Sequence, residues 1–223
     1  HRVVRYDMRG FGRTPLPPES YSHAEDLIDL LTGLEMVPAT LVGASLGGRV
    51  ALEIAAVRPD LISGLVLVGA VIPGTKWSGE IERFSAAEDA ALENHDIDAA
   101  VEINLRTWVD GTRTSDAVDP GVRALVGEMQ RRAFELQLAA GDEADEELLE
   151  PGVGEHLAEI VQPVLVIVGE DDNADIHEIG ARLLEELPNA RHESIPRAAH
   201  VVPLERPAEF NSLVLEFLEK NGL

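Results

Sequence analysis

Three features of this chain could together do nucleophilic chemistry: a serine between glycines, a distant histidine, and a cluster of carboxylates between them. Gly43-Ala44-Ser45-Leu46-Gly47 is a G-x-S-x-G sequence. It follows an apolar, strand-like run (Ala39-Thr40-Leu41-Val42) and opens a helical one bearing Val50, Ala51, Ile54 and Ala55. A serine on so sharp a strand-to-helix turn is held in a strained backbone with its hydroxyl above the sheet. The flanking glycines are expected because a Cβ on either side would collide with the neighbouring strand or helix. The Leu46 N–H then lies at a helix N-terminus, where it can donate to a developing oxyanion. Small residues around a serine are common, so a purely structural turn is the competing reading. The strand–motif–helix context favours the nucleophile.

A serine hydroxyl needs a base to take its proton, and the base needs an orienting partner. In a parallel sheet such partners sit at the carboxyl ends of strands. Gly169-Glu170-Asp171-Asp172 follows the run Val164–Val168 directly, and His200 lies between the last short strand and the last helix. The order serine, aspartate, histidine is that of one class of hydrolases. Asp171 and Asp172 are not separated by this reading, and one of them could serve only as a helix N-cap. Of the other histidines, His1 is terminal, and His23 and His95 sit in polar helical or loop surroundings. His156, His177 and His192 are flanked by charge and read as solvent-facing. Asp171-Asp172-Asn173-Ala174-Asp175 imitates the first half of a calcium loop. Ile176 and Arg182, however, stand where such a loop needs glycine and glutamate, so no metal site is expected.

These residues must be held by a scaffold, and the periodicity supplies one. Val3–Tyr6 reads as a strand, followed by a Gly- and Pro-rich loop. Ser22-His23-Ala24-Glu25 is a capping box for a helix facing inward through Leu27, Ile28, Leu31 and Leu34. Strands into Ser45 and over Leu65–Val68 flank a helix ending near Arg58-Pro59. Apolar strands alternating with amphipathic helices predict a parallel sheet covered on both faces. From Ser78 to Glu159 only helical periodicity remains. One stripe is Ile97, Val101, Leu105, Trp108 and Val109; another, after Asp119-Pro120, is Val122, Leu125, Val126, Met129 and Leu136. The acidic run Asp142–Glu150 reads as a solvated face or linker. Strand character returns at Val164–Val168 and around His192–Ile195. A helix follows each of these strands, the last one burying Phe210, Leu213, Val214, Phe217 and Leu218. The expected organisation is a core of residues 1–74 and 160–223, with 75–159 inserted as a helical cap.

With 223 residues, 45% of them apolar and 26% charged, the chain can bury a full core. No apolar run reaches the roughly 18 residues of a membrane span. The absence of cysteine excludes disulfides, thiolate catalysis and cysteine-bound metals. A net charge of −23 argues against nucleic-acid and anionic-membrane partners. No signal peptide is visible, and a cytoplasmic location is the expectation. A small molecule is the expected partner, with a homodimer left open.

Five segments together resemble the α/β-hydrolase superfamily with a helical cap, small-molecule esterases and enol-lactone hydrolases in particular. They are Tyr6-Asp7-Met8-Arg9-Gly10-Phe11-Gly12, Gly43 to Gly48, Val168-Gly169-Glu170-Asp171-Asp172, Ile195-Pro196-Arg197-Ala198-Ala199-His200, and Leu204-Glu205-Arg206-Pro207 with Phe210. The resemblance implies an α/β fold, a mostly parallel sheet with helices on both faces and an inserted cap. It implies Ser45 as nucleophile, His200 as general base and then acid, Leu46 as an oxyanion-hole donor, and no cofactor. It favours Asp172 as orienter, because the family's acid is usually the third residue after that glycine. A serine at 45 disfavours aspartate-nucleophile relatives. In this family Val3–Asp7 looks like the fourth strand. The earlier strands, and the His-Gly loop that supplies a second oxyanion donor, would lie upstream. The chain is therefore expected to be a fragment of low activity, an expectation that fails if Val3–Tyr6 pairs directly beside Leu41–Ala44. The expected function is hydrolysis of small esters or lactones through an acyl-enzyme. Perhydrolase or haloperoxidase chemistry, carbon–carbon bond hydrolysis, or a ligand receptor without turnover are the alternatives. Substrate choice would rest on cap side chains such as Trp77, Trp108 and Met129.

Overall fold

The computed structural model describes residues 1–223, except for the side chain of Asp142. Its centre is a four-stranded parallel sheet in the order β1 (Ala39–Ala44), β2 (Ile62–Val68), β3 (Val164–Gly169), β4 (Ala190–Ile195). Side chains alternate across a strand, so each face is drawn from every second residue. On one face Leu65, Leu67, Val164, Val166 and Val168 pack against α1 (His23–Gly33), α2 (Leu46–Val57) and α6 (Ala174–Glu186). On the other, Val66, Val68, Leu165 and Ile167 pack against α8 (Pro207–Asn221), whose Phe217 is 1% exposed. Burying one such aromatic contributes about 2 kcal/mol.

The two-faced burial expected of every strand holds for β2 and β3 but not for β1. Leu41 is buried against α2, whereas Val42 is 53% exposed, because the layer formed by α8 covers the middle of the sheet and does not extend over β1. Val3–Tyr6 is also not a strand: it joins no ladder, and Val3 is 82% exposed. Val-rich segments become strands only where a neighbour takes their hydrogen bonds, and the outer edge of β1 carries no neighbour among the described residues. The following loop is held to α1 instead, by Arg9 Nε donating to Asp26 Oδ2 at 2.6 Å.

Ser22 caps α1 as its spacing predicts, accepting from the Glu25 N–H. Between β2 and β3 the chain is helical: α3 (Gly79–Glu93), α4 (Ile97–Asn104), a π-helical turn (Leu105–Asp110) and α5 (Pro120–Ala140). Asp119 caps α5 by accepting from the Gly121 and Val122 N–H groups. Val101, Leu105, Val109 and Phe134 form this block's own small core. The buried stripe of α5 is narrower than its sequence predicts. Leu125 and Met129 are 45% and 57% exposed, because α5 packs on one side only, where Phe134 and Ala133 are buried. A short helix α7 (Val202–Glu205) precedes α8. No helix among the described residues is long and apolar enough to cross a membrane.

The acidic run is more than a solvated linker. The peptide groups of Asp145 and Glu147 pair with Tyr21, and the Glu146 carboxylate reaches Arg49 at 2.5 Å. Arg49 also donates to Glu53 at 2.6 Å, so that two carboxylates flank one guanidinium that is 7% exposed. Burial pushes the Glu53 carboxyl above its ordinary pKa, against the pull of Arg49. His23 is buried as well (2% exposed), among Tyr21, Phe11 and these charges. Its neighbours in sequence suggested a polar setting, but the aromatic pair over it comes from outside the helix.

Candidate active site

Ser45 sits between the end of β1 and the start of α2 with φ +50° and ψ −114°. A non-glycine residue is held there only by its surroundings. Its N–H donates to the Val68 carbonyl at 2.9 Å, and its carbonyl accepts from Gly48 and Arg49. The glycine requirement is one-sided: a Cβ on Gly43 would lie 2.2 Å from the Gly47 carbonyl oxygen, whereas a Cβ on Gly47 would meet open space. Gly43 is therefore needed so that the first turn of α2 can fold back over the end of β1. Leu46 is the first residue of α2, so its N–H has no acceptor within the helix.

His200 and Asp172 meet at the carboxyl end of the sheet. His200 Nδ1 lies 2.8 Å from Asp172 Oδ2, with His200 8% exposed and Asp172 2%. A carboxylate is an acceptor only, so Nδ1 carries the hydrogen and Nε2 is the basic nitrogen. Nε2 is buried and among the described residues has no hydrogen-bond partner, the Ser45 hydroxyl included. The other Asp172 oxygen accepts from the Asn173 N–H at 2.9 Å. Ser45 and His200 flank the same peptide unit. Val68 accepts from the Ser45 N–H, and a Cβ built on Gly69 would lie 2.9 Å from His200 Nδ1. The three carboxylates of the calcium-like sequence go to three different partners: Asp171 faces Arg113 at 3.6 Å, Asp172 faces His200, and Asp175 accepts from the Ser78 N–H and hydroxyl, each at 2.7 Å.

The π-helical turn closes over this pair. The Trp108 carbonyl accepts from the His200 N–H at 3.1 Å, and the two rings lie 4.6 Å apart. Gly111, at φ +61°, brings the chain against the aspartate loop; a Cβ there would lie 2.1 Å from the Asp171 carbonyl oxygen. Thr112 donates its N–H to that same oxygen at 2.9 Å.

Arg113 is a site residue that the sequence did not single out. It donates to the carbonyls of Val109 (2.6 Å) and Arg197 (3.3 Å) and pairs with Glu205 at 2.7 Å. Glu205 in turn accepts from the Ala199 N–H at 2.7 Å. One guanidinium thus ties the helical block to both flanks of the His200 loop. An arginine followed by polar residues carries no local signal of this, because Arg197, Glu205 and Asp171 are all far along the chain. Trp77 and Trp108 line a common cleft with Phe84, while Met129 lies on the outer surface of α5.

The sequence profile of the Alpha/beta hydrolase family matches residues 1–213. The chain is 29% identical over 230-odd residues (99% of its length, 77% of the relative's) to the 2-hydroxy-6-oxononadienedioate/2-hydroxy-6-oxononatrienedioate hydrolase of Burkholderia vietnamiensis. It is 28% identical to the sn-1-specific diacylglycerol lipase of Mus musculus, across 97% of this chain and 71% of that one. Among solved structures it is similar to Est816, described as an N-acyl homoserine lactone degrading enzyme. That match has a TM-score of 0.70 and 27% identity, over 95% of this chain and 80% of that one.

Proposed function

Because the chain belongs to the alpha/beta hydrolase family, we propose that it is a serine hydrolase of small carboxylic esters or lactones, working through an acyl-enzyme on Ser45. The observation that carries this reading is the buried Asp172–His200 pair at 2.8 Å, with an unpartnered Nε2, beside the peptide that anchors Ser45. Likeness to a lipase and to a lactone-degrading enzyme supports carbonyl–oxygen cleavage.

In this reading Ser45 Oγ attacks the substrate carbonyl as its proton passes to His200 Nε2. Asp172 holds the imidazole in the required tautomer and stabilises the imidazolium. The Leu46 N–H faces the oxyanion, in a position where one donor is worth roughly 100- to 1000-fold. His200 then protonates the departing alkoxide, leaving an ester on Ser45. Water, deprotonated by Nε2, attacks that ester and releases the acid. Residues 75–159 act as the cap, covering His200 through Trp108.

Treatment with a fluorophosphonate is expected to add one adduct to the intact mass, on Ser45, and none to Ser45→Ala. A wild-type chain that stays unlabelled while folded overturns the reading. Arg113 acts as a positioning residue. Arg113→Ala is expected to lower kcat about 10- to 100-fold with KM nearly unchanged, because small displacements of a base cost that much. A fall confined to KM would place Arg113 in substrate binding instead.

A further inference from the structure

A cleft in the helical block shares Trp108 with the surroundings of His200, although no residue of the proposed triad lines it. It lies between α3 and the π-helical turn and holds about 490 Å³. Trp77, Ile81, Phe84 and Trp108 form its apolar walls, and its ionisable lining is Glu82 and Asp89. Trp108 is shared: one side meets Phe84 edge-on at 5.5 Å between ring centres, and the indole also lies 4.6 Å from the His200 ring. A group held in the cleft is therefore one side chain away from the base. Among the described residues no arginine, lysine or histidine lines this space.

We infer that this cleft receives the uncharged, apolar part of the substrate, and that Glu82 and Asp89 exclude substrates whose far end carries a carboxylate. The inference rests on the hydrolase reading for what happens next, and on the cleft alone for what binds. The physical reason is an asymmetry. Indole and phenyl faces gain from covering hydrocarbon. An anion among them loses water and meets two like charges, with no cation to answer it. Both acids are exposed on α3, so their repulsion acts through solvent and salt weakens it. A chain of net charge −23 adds a field of the same sign.

The chain itself supplies the probe. Its two tryptophans both line the cleft, so intrinsic fluorescence reports occupancy without turnover. Ser45→Ala is titrated with methyl hexanoate and with monomethyl adipate, which replaces the terminal methyl by a carboxylate. Methyl hexanoate is expected to change the emission and to bind at least 10-fold more tightly. That gap should narrow several-fold at 0.5 M salt and in Glu82→Gln/Asp89→Asn. Equal affinities, tighter binding of the adipate, or an emission insensitive to methyl hexanoate overturns the inference. Because the titration involves no chemistry, it stands or falls separately from phosphonate labelling. Selective binding by a chain that never labels would retain the cleft and discard the hydrolase.

Discussion

Ser45→Gly is expected to abolish turnover and, at the same time, to raise the melting temperature. Removing the nucleophile of a triad costs about ten-thousand-fold or more in kcat. The stability gain has a separate origin. Ser45 is held at φ +50°, ψ −114°, where a Cβ is strained by about 1–3 kcal/mol and glycine is not. Glycine returns about 0.5–1 kcal/mol of this through its freer unfolded chain. The net gain is about 1 kcal/mol, or roughly 2–4 °C for a chain of this size. Ser45→Ala is the control: it loses the same activity but keeps the Cβ, and so should melt with the wild type. Calorimetry on the three proteins, beside ester hydrolysis, reads both effects. If the glycine and alanine variants melt together, the turn is not strained and its geometry serves exposure of the hydroxyl alone.

Arg49→Met is expected to destabilise the fold strongly while leaving the proposed triad residues in place. It removes the one cation between Glu53 and Glu146, leaving Glu53 (2% exposed) without its counter-charge. Breaking a buried pair by deleting one partner costs about 3–5 kcal/mol, on the order of 10 °C here. The loss should depend on pH, with a definite sign. Burial already raises the Glu53 carboxyl, and Arg49 is the foremost influence lowering it. Without Arg49 the folded-state pKa rises further above the unfolded one. The fold then favours the proton, and that contribution is present below the ordinary glutamate range and lost as pH rises through the raised value. The variant's deficit is therefore smaller near pH 5 than near pH 8. Urea unfolding at both values checks this, and Arg49→Met/Glu53→Gln should recover much of the loss and flatten the pH dependence. A deficit equal at both pH values would mean that Glu53 finds another partner or water.

What the sequence determined by itself is what neighbours along the chain control. Gly43 to Gly47 marks a strand-to-helix turn because only a residue without a Cβ lets the Gly47 carbonyl pack over position 43. Ser22 and Asp119 mark helix starts because a cap bonds two or three residues ahead. The alternation of apolar strands and amphipathic helices yields a parallel sheet, and from that the convergence of Ser45, the Asp171-Asp172 pair and His200 at one end of it. The tertiary structure decided which distant group each polar side chain meets. Asp171 and Asp172 are adjacent and chemically identical, yet one faces Arg113 and the other His200. Glu146 looks like any member of an acidic run until Arg49, 97 residues away, is seen beside it. Val3–Tyr6 has the residues of a strand and no ladder to join. Arg113 meets Arg197 and Glu205, more than eighty residues along the chain, and no local pattern reports that. Local pattern reports the conformations a segment prefers; burial and charge pairing depend on what packs against it, and only the folded chain supplies that.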